Sequence, residues 1–500
     1  VKLAELTAGI DRLTVNGDPD IEITGICYDS RRVVAGSLFC ALRGEHFDGH
    51  RFIPEAIAAG AVAVLCEDAG TCTGVAVLTA DDPRAAMAEL AARFHGRPTE
   101  SMLVAGITGT NGKTTVSYLL ESLLARAGKH VAVIGTVAYR FGPDVRPAPN
   151  TTPESVDLQQ LAAGFRQQGC SALVMEVSSH ALAQQRVAGV AFDVGLFTNL
   201  TPEHLDYHRE MESYFAAKRL LFDRKSGAKQ AVINIDDPWG LRLAQERPDA
   251  ITCGQDQEAV VRIVEAELGV AGIRAVLESP VGRIEIDSPL LGRFNLANLC
   301  CAAATGVALG LDPQLIAEGL GAVATVPGRL EAIDHPGGAR VLVDYAHTGD
   351  ALEKALEAMR DLKPRRLLAL FGCGGDRDRS KRPKMGEVAA RIADLVVVTS
   401  DNPRSEDPQA IITEILPGVE AAGAVKLDRP AFAPAGQTGY LVEPDRRRAI
   451  ETAVALLEEG DLLLVAGKGH EDYQIIGSER LHFDDREEVR RAIALTVENR

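Results

Sequence analysis

No apolar run in the chain approaches the roughly 20 residues that a membrane-spanning helix needs, so a transmembrane protein is not expected. No charged-then-apolar leader opens it either, and its first residue is Val1 rather than Met. CxxC pairs are missing. The nine cysteines are scattered and odd in number, and Cys300 and Cys301 sit side by side in an apolar stretch. That is how thiols are used as small buried hydrophobes in a reducing cytosol, and a cytoplasmic location is the expectation. Internal repeats, low-complexity tracts and heptads are absent. Positive charge is short: a net charge of −17 argues against a nucleic-acid or anionic-membrane partner. It leaves room for anionic small substrates, which need only a local cationic pocket. What is present is 500 residues, 46% of them hydrophobic, enough for roughly three domains of ordinary size.

One stretch organises the rest. The apolar run Met102–Ala105 reads as a buried strand, and a helix begins near Thr114 with Leu119, Leu120, Leu123 and Leu124 on its apolar side. Between them lie Gly109, Thr110, Asn111, Gly112, Lys113, Thr114 and Thr115. A strand, a glycine loop and a helix N-terminus make a polyphosphate cradle, because the loop amides and the helix dipole both favour anions. Lys113 supplies a cation there and Thr114 a hydroxyl for Mg²⁺. The general phosphate-loop pattern wants glycine at 107, where this chain has Ile107, so the loop is a variant.

Residues 1–99 read as a small α/β domain. Expected strands are Ile21–Tyr28, Ser37–Leu42 and Ala61–Cys66, with helices at Ile53–Ala59 and Pro83–Phe94, and Gly96 with Pro98 marks a linker. Ser30 and the 43–50 loop fall at strand ends, where open α/β sheets bind ligands. From 100 to 328 the pattern repeats βα, with strands at His130–Gly135, Ala172–Val177, Val190–Phe197 and Ala231–Ile235, which predicts a mostly parallel sheet. Glu176 ends one strand, and the Asn199–His208 segment with His204 follows another. A carboxylate and an imidazole there suit Mg²⁺ or a held water, or equally a helix cap. An antiparallel meander is expected over 261–288, then a long apolar helix to Leu309.

Lys218 is centred on an apolar helix face: Tyr214, Phe215, Leu221 and Phe222 are its i−4, i−3, i+3 and i+4 neighbours. Such a lysine must snorkel, pair or lose its charge. The neutral amine is the species that reacts with CO₂ to form a carbamate.

Residues 329–500 again alternate βα. Strands at Arg340–Tyr345, Arg366–Phe371, Leu395–Ser400 and Leu462–Val465 each end in polar chemistry: Asp344–His347, Gly372–Asp378, Asp401–Arg404 and Gly467–Glu471. Four polar loops on one rim of a sheet mark a binding face.

These motifs carry a resemblance. From Asp29-Ser-Arg31 through the phosphate loop, Asn150-Thr-Thr152, Glu176–His180, Asn199–His208, Lys218, Pro327-Gly-Arg329, Asp344–His347 and Asp401–Arg404, the chain resembles the Mur ligases of peptidoglycan synthesis. Within them it looks like the branch that adds meso-2,6-diaminopimelate to UDP-N-acetylmuramoyl-L-alanyl-D-glutamate. The resemblance implies an α/β protein of three domains: a UDP-substrate-binding domain at 1–99, a central P-loop-type ATPase domain at 100–328 and a Rossmann-like amino-acid-binding domain at 329–500. Ser30 would meet the uridine end, and Asn150, Thr151, Thr152, Ser178, Gln184 and Arg186 the muramoyl-dipeptide. The phosphate loop from Gly109 to Thr115, with Asn298, Arg329, Asp344 and His347, would place ATP. Thr114, Glu176, His204 and a carbamylated Lys218 would serve Mg²⁺, and Lys113, Glu176, His204 and Lys218 would carry the catalysis. Arg377, Asp401, Asn402, Arg404, Gly467 and Glu471 would hold the amino acid, with Pro403 stiffening the turn. The Glu45-His-Phe47 loop aligns to nothing secure.

Acyl-phosphate chemistry is the implied reaction, and a monomer the expected state. Lysine-adding, D-Ala-D-Ala-adding and folate polyglutamate ligases are the neighbouring readings. A second arginine fork suits the second carboxylate of diaminopimelate. A silent nucleotide-binding scaffold would be expected to lose Lys113, Glu176, His204 or Lys218, and all four are present.

Overall fold

The computed structural model describes residues 1–10, 12–44, 48–68, 70, 72–433 and 437–498, with side chains to 496. The Glu45-His-Phe47 stretch therefore lies outside the described residues. Two compact units are present: Val1–Ile263 with Glu278–Ile284 and Cys300–Gly319, and Val264–Leu277 with Glu285–Leu299 and Leu320–Arg500.

The first unit carries a five-stranded sheet in the order Leu13–Asn16, Ala76–Ala80, Ala61–Cys66, Ser37–Cys40, Gly25–Cys27, parallel except at Leu13–Asn16. The expected Ile21–Tyr28 strand is cut to three residues. Its first half is taken by the chain's start instead: Ile23 N–H bonds the Val1 carbonyl and Leu3 N–H the Ile21 carbonyl. Tyr28 and Arg32 then reach Asp157 on the Ser155–Gln167 helix, Arg32 at 3.0 Å.

The same unit holds the phosphate-loop strand, Leu103–Thr108, at the middle of a parallel run. Val194–Phe197 flanks it on one side, followed by Gln230–Asn234 and Ile251–Gly254. Ala172–Glu176 flanks it on the other, followed by Val131–Ile134. Chain order reverses across the central strand, which opens a crevice at the carboxyl ends. Register matters here: Glu176 lies beside Ile107 and Phe197 beside Thr108. The polar strand end Glu176 is thus set against the loop. The interiors of the central strands are apolar, as expected of a parallel sheet covered on both faces. The strand expected from Val190 starts only at Val194; Phe192 turns its ring onto bare Gly106, where a Cβ would come within 2.6 Å. The expected meander is present as Val261–Gly269, Gly272–Glu278 and Ile284–Ser288.

The second unit is built on a seven-stranded sheet. Its order is Glu331–Asp334, Arg340–Asp344, Leu462–Ala466, Leu367–Phe371, Leu395–Val398, Gly439–Val442, Val425–Lys426, antiparallel only at the first pair. Two apolar layers, one around Phe371 and Met385, the other around Val341 and Ile450, sandwich it. The carboxyl ends of Arg340–Asp344, Leu462–Ala466, Leu367–Phe371 and Leu395–Val398 are adjacent, so their four polar loops share one rim.

Candidate active site

In the first unit the phosphate loop is held by the segment after Val194–Phe197. Thr110 N–H bonds the Asn199 carbonyl at 2.9 Å, Asn111 N–H bonds Asn199 Oδ1 at 2.9 Å, and Thr198 Oγ1 donates to the Asn111 carbonyl at 2.7 Å. Gly109 has to be glycine: its φ is +148° and a Cβ would fall 1.9 Å from Thr198 Oγ1. Gly112, at φ +89°, caps the helix that begins at Lys113, so the positive end of the helix dipole faces the loop. Lys113 Nζ donates to the Gly109 and Thr110 carbonyls at 2.9 and 2.8 Å, folded over the cradle. Thr115 is buried beneath it.

Thr114 Oγ1 donates to Glu176 Oε2 at 3.0 Å. Thr136, which the sequence did not single out, fixes the same carboxylate with its amide at 2.9 Å and its hydroxyl at 3.0 Å, and contacts Thr151 Oγ1 at 3.0 Å. Thr152 and Ser178 follow: Thr152 Oγ1 donates to the Glu176 carbonyl at 2.8 Å and accepts from Ser178 N–H at 3.1 Å. Ser178 caps the Ser179–Ala183 helix. Arg186 donates to the Thr152 carbonyl at 3.0 Å and to Gln184 Oε1 at 2.8 Å, and pairs with Glu154 at 2.9 Å. Tyr139 OH donates to the Asn150 carbonyl. The structure therefore gathers Thr114, Glu176, Thr151, Thr152, Ser178, Gln184 and Arg186 into one network. Ser30 stands apart, in a 3₁₀ turn capped by Asp29 at the edge of the five-stranded sheet.

Lys218 does not snorkel. It is 1% exposed, with Nζ 2.8 Å from the Gly109 carbonyl and 4.6 Å from the centre of the Tyr214 ring. Among the described residues no carboxylate lies within ion-pair distance of it. Burial drives its ammonium well below the usual lysine range, and Lys113 adds to the effect. His204 sits at φ +55° with its ring 5.0 Å from His180 and 6.2 Å from Tyr214. His180, Tyr207 and His208 complete this aromatic group. Burial and the neighbouring His180 and Lys218 lower His208 to about 4, and its Nε2 lies 2.9 Å from Ser179 Oγ. Among the described residues no three His, Cys, Asp or Glu side chains gather at metal-ligand spacing. Magnesium commonly uses one or two carboxylates with substrate phosphates, so Thr114 and Glu176 remain a suitable pair of hard oxygen donors.

In the second unit Asp344 takes the Leu330 and Ala346 amides, each at 2.8 Å. Arg329 lies over the Tyr345 ring at 5.0 Å, and His347 Nδ1 lies 2.9 Å from the Tyr345 carbonyl. Asn298 donates to Asn295 Oδ1 at 2.9 Å, both buried. Gly328 and Gly469 pack backbone to backbone; a Cβ on Gly328 would fall 2.1 Å from the His470 amide.

The acceptor-end residues cluster tightly. Asn402 Nδ2 donates to Glu471 Oε2 at 2.9 Å, and a Cβ on Gly467 would come within 3.2 Å of Asp401 Oδ2. Arg404, at φ +53°, donates to the Gly375 carbonyl at 2.9 Å and the Asn402 carbonyl at 3.4 Å. It meets neither Glu406, which pairs with Arg382, nor Asp407, which caps a helix. Gly374 keeps Arg404 and Arg377 within reach of one another: a Cβ there would lie 2.9 Å from Arg404 and 3.8 Å from Arg377. Pro403 is buried in the turn. Three cations escaped the sequence: Lys468, Arg382 and Arg446, all fully buried. Arg446 pairs bidentately with Asp485 and holds the Ser400 and Ala466 carbonyls just before Asp401 and Gly467.

Comparison with known proteins agrees along the whole chain. Residues 22–95 match the Mur ligase family catalytic domain, 107–306 the Mur ligase middle domain and 328–469 the Mur ligase glutamate ligase domain. Proteins of Geobacter metallireducens and Geobacter sulfurreducens are 50% and 48% identical over 498 residues, 98% of each chain. Both are named UDP-N-acetylmuramoyl-L-alanyl-D-glutamate--2,6-diaminopimelate ligase. A solved structure of that name superposes with TM-score 0.72 at 33% identity over 99% of both chains. One from Acinetobacter baumannii, a D-alanyl-D-alanyl ligase, shares the fold at TM-score 0.63 and 18% identity. With three family domains matched in order and about half of all residues identical to such relatives, the chain belongs to the Mur ligase family.

Proposed function

We propose that this protein is an ATP-dependent ligase that joins meso-2,6-diaminopimelate to the D-glutamyl γ-carboxyl of UDP-N-acetylmuramoyl-L-alanyl-D-glutamate, in peptidoglycan synthesis. The observation that carries the choice of acceptor is the rim of the second unit, where Asp401, Asn402 and Glu471 lie beside Arg404 and Arg377. The acidic members suit an ammonium, and an arginine fork that meets only carbonyls suits a carboxylate. An amino-acid end with both groups fits.

The γ-carboxylate attacks the γ-phosphorus of ATP, ADP leaves and an acyl phosphate forms. The acceptor amine then attacks the acyl carbon, loses a proton, and phosphate departs. Two anions must meet in the first step, and Lys113 with the loop amides offsets the charge that develops. Arg186, Gln184, Thr152, Ser178, Asn150 and Thr151 orient the dipeptide, Ser30 the uridine end, and Asn298, Arg329, Asp344 and His347 the nucleotide. No protein nucleophile is needed; positioning supplies the rate.

Thr114 and Glu176, together with His204, would hold Mg²⁺, which when bound would neutralise phosphate charge. Lys218 is the residue we assign as carbamylated. Its amine, kept neutral by burial, adds to CO₂ and releases one proton, leaving an anion whose charge the neighbouring Lys113 offsets. We further propose that the enzyme works as a monomer in the cytoplasm. No helix among the described residues is long and apolar enough to cross a membrane.

Phosphate release with UDP-N-acetylmuramoyl-L-alanyl-D-glutamate and ATP, comparing diaminopimelate with lysine, tests the reading. Turnover that depends on diaminopimelate is expected; equal or better turnover with lysine overturns the acceptor assignment.

A further inference from the structure

Lys468 is 0% exposed, yet it belongs to none of the roles above. Its Nζ lies 3.1 Å from Asn402 Oδ1, 3.4 Å from Asp401 Oδ1 and 3.7 Å from Glu471 Oε2. A buried ammonium is retained only where carboxylates and acceptors surround it. Two of these neighbours, Asp401 and Glu471, are the acidic residues assigned to the acceptor's ammonium.

The bonds impose an orientation. Asn402 Oδ1 accepts from both Lys468 and the Ile475 amide, the latter at 3.0 Å, which turns the Asn402 NH₂ group toward Glu471. Lys468 and the Ile475 amide together select one of the two faces Asn402 can present. Charge points the same way. Asp401 and Glu471 bring two carboxylates and Lys468 one cation, so with Arg404 left for a ligand carboxylate the pair keeps room for a single ligand ammonium. Without Lys468 two carboxylates would share the pocket, and such pairs tend to take up a proton.

We propose that Lys468 is a positioning residue of the acceptor site, an interior counter-charge that, directly and through Asn402, holds Glu471 as the receptor for the acceptor's ammonium. This rests on the ligase reading above. The charged and titratable groups around Glu471 are Asp401, Lys468, Arg404, Arg446, Tyr345 and Tyr473. Burial, then Asp401, push the Glu471 carboxyl upward, and Lys468 is the first influence to pull it back. Removing Lys468 should therefore raise the Glu471 carboxyl further, so that it holds its proton to higher pH than in wild type, and a protonated Glu471 no longer attracts an ammonium.

The test is the KM for diaminopimelate in wild type and Lys468→Met, from about pH 6.5 to about pH 8.5, with the other substrates saturating. At neutral pH the variant's KM is expected to rise about tenfold or more, and the ratio of variant to wild type to shrink as pH climbs. KM for ATP should stay within about twofold. In Glu471→Gln, adding Lys468→Met should produce no pH-dependent change in that ratio. A diaminopimelate KM within about twofold of wild type, or a rise that is flat with pH, overturns the proposal. If Lys468→Met does not fold, wild type decides: a flat KM over this range supports the counter-charge. A rise of about tenfold on acidification from about pH 8 to about pH 6.5 shows Glu471 titrating beside Lys468 and overturns it. A wild type that never uses diaminopimelate fails earlier and takes the ligase reading down as well.

Discussion

Thr114 and Glu176, 62 residues apart, share a 3.0 Å hydrogen bond that ties the phosphate-loop helix to the end of the neighbouring strand. The Thr136 amide holds the other Glu176 oxygen at 2.9 Å, and Gly135 beside it is bare because a Cβ would lie 2.4 Å from Glu176 Oε1. Gly135→Ala should therefore displace the carboxylate. Activity is expected to fall about tenfold or more while the melting temperature moves by only a few degrees, since the new methyl meets a side-chain end. Wild-type kcat in this variant would show that Glu176 need not stay where it is.

Lys113→Ala is expected to abolish ligation and leave the fold intact. The side chain donates to the Gly109 and Thr110 carbonyls of its own loop and stands at the first turn of its helix, where alanine keeps the backbone in place. The missing cation opposite developing phosphate charge should cost on the order of a hundredfold or more. Near-wild-type phosphate release from purified, folded variant would sink the phosphate-loop assignment.

Many of the buried parallel strands were legible because their interiors are apolar, and the phosphate loop because glycine and lysine fall at a strand-to-helix junction; Ala76–Ala80, Ile251–Gly254 and Gly439–Val442, short parallel strands as well, were not singled out. The Ala138–Phe141 and Asp144–Pro147 pair and the Tyr473–Ile476 and Glu479–His482 hairpin were not: they are short, partly exposed and mixed in polarity. Of the site, the polar strand ends could be read directly, but their partners could not. A lone lysine or arginine reads as solvated surface. Nothing in Arg446 announces Asp485, 39 residues on, and Lys468 meets Asn402 across 66 residues. The one available signal was Lys468 between two glycines directly after an apolar strand.

Lys218→Ala is expected to be nearly inactive and partly rescued by formate or acetate. In wild type the amine sits against Tyr214 and the Gly109 carbonyl, with its ammonium disfavoured by burial. Those conditions suit a carbamate, and a small carboxylate can take the space left by alanine. Mass spectrometry of native protein in bicarbonate should show the added CO₂. Failure of both rescue and adduct would leave Lys218 a buried amine and no more.

His208 predicts acid sensitivity. Burial lowers its folded pKa to about 4, whereas the unfolded chain protonates near 6.5. The stabilisation from keeping it neutral is complete above the unfolded value. It is lost as pH falls from about 6.5 toward about 4, because only the unfolded state gains the proton; the ceiling is about 3 kcal/mol. Urea melts between these limits should show this slope, reduced in His208→Gln. An unchanged slope would place the acid response elsewhere, His180 and His470 being shifted the same way.

Arg404 is expected to select diaminopimelate over lysine. Both acceptors have the same length and differ at the far carbon, where diaminopimelate adds a carboxylate. The guanidinium is half-buried and presented by a left-handed turn. That turn is pinned on both sides: the Arg404 amide bonds the Ile475 carbonyl at 3.0 Å and the Gly477 amide the Arg404 carbonyl at 2.7 Å. Its present partners are carbonyls alone, so a ligand carboxylate would convert neutral bonds into charge-assisted ones, about 1.5–3 kcal/mol. Lysine offers nothing in exchange and leaves the cation poorly paired, so rejection adds to attraction. Arg404→Ala should raise the diaminopimelate KM and narrow the ratio of kcat/KM between the two acceptors by about tenfold or more. Arg404→Lys should recover little, since a point charge cannot make the fork. If the ratio is unchanged in both variants, selection lies with Arg377 or with the ammonium end of the site.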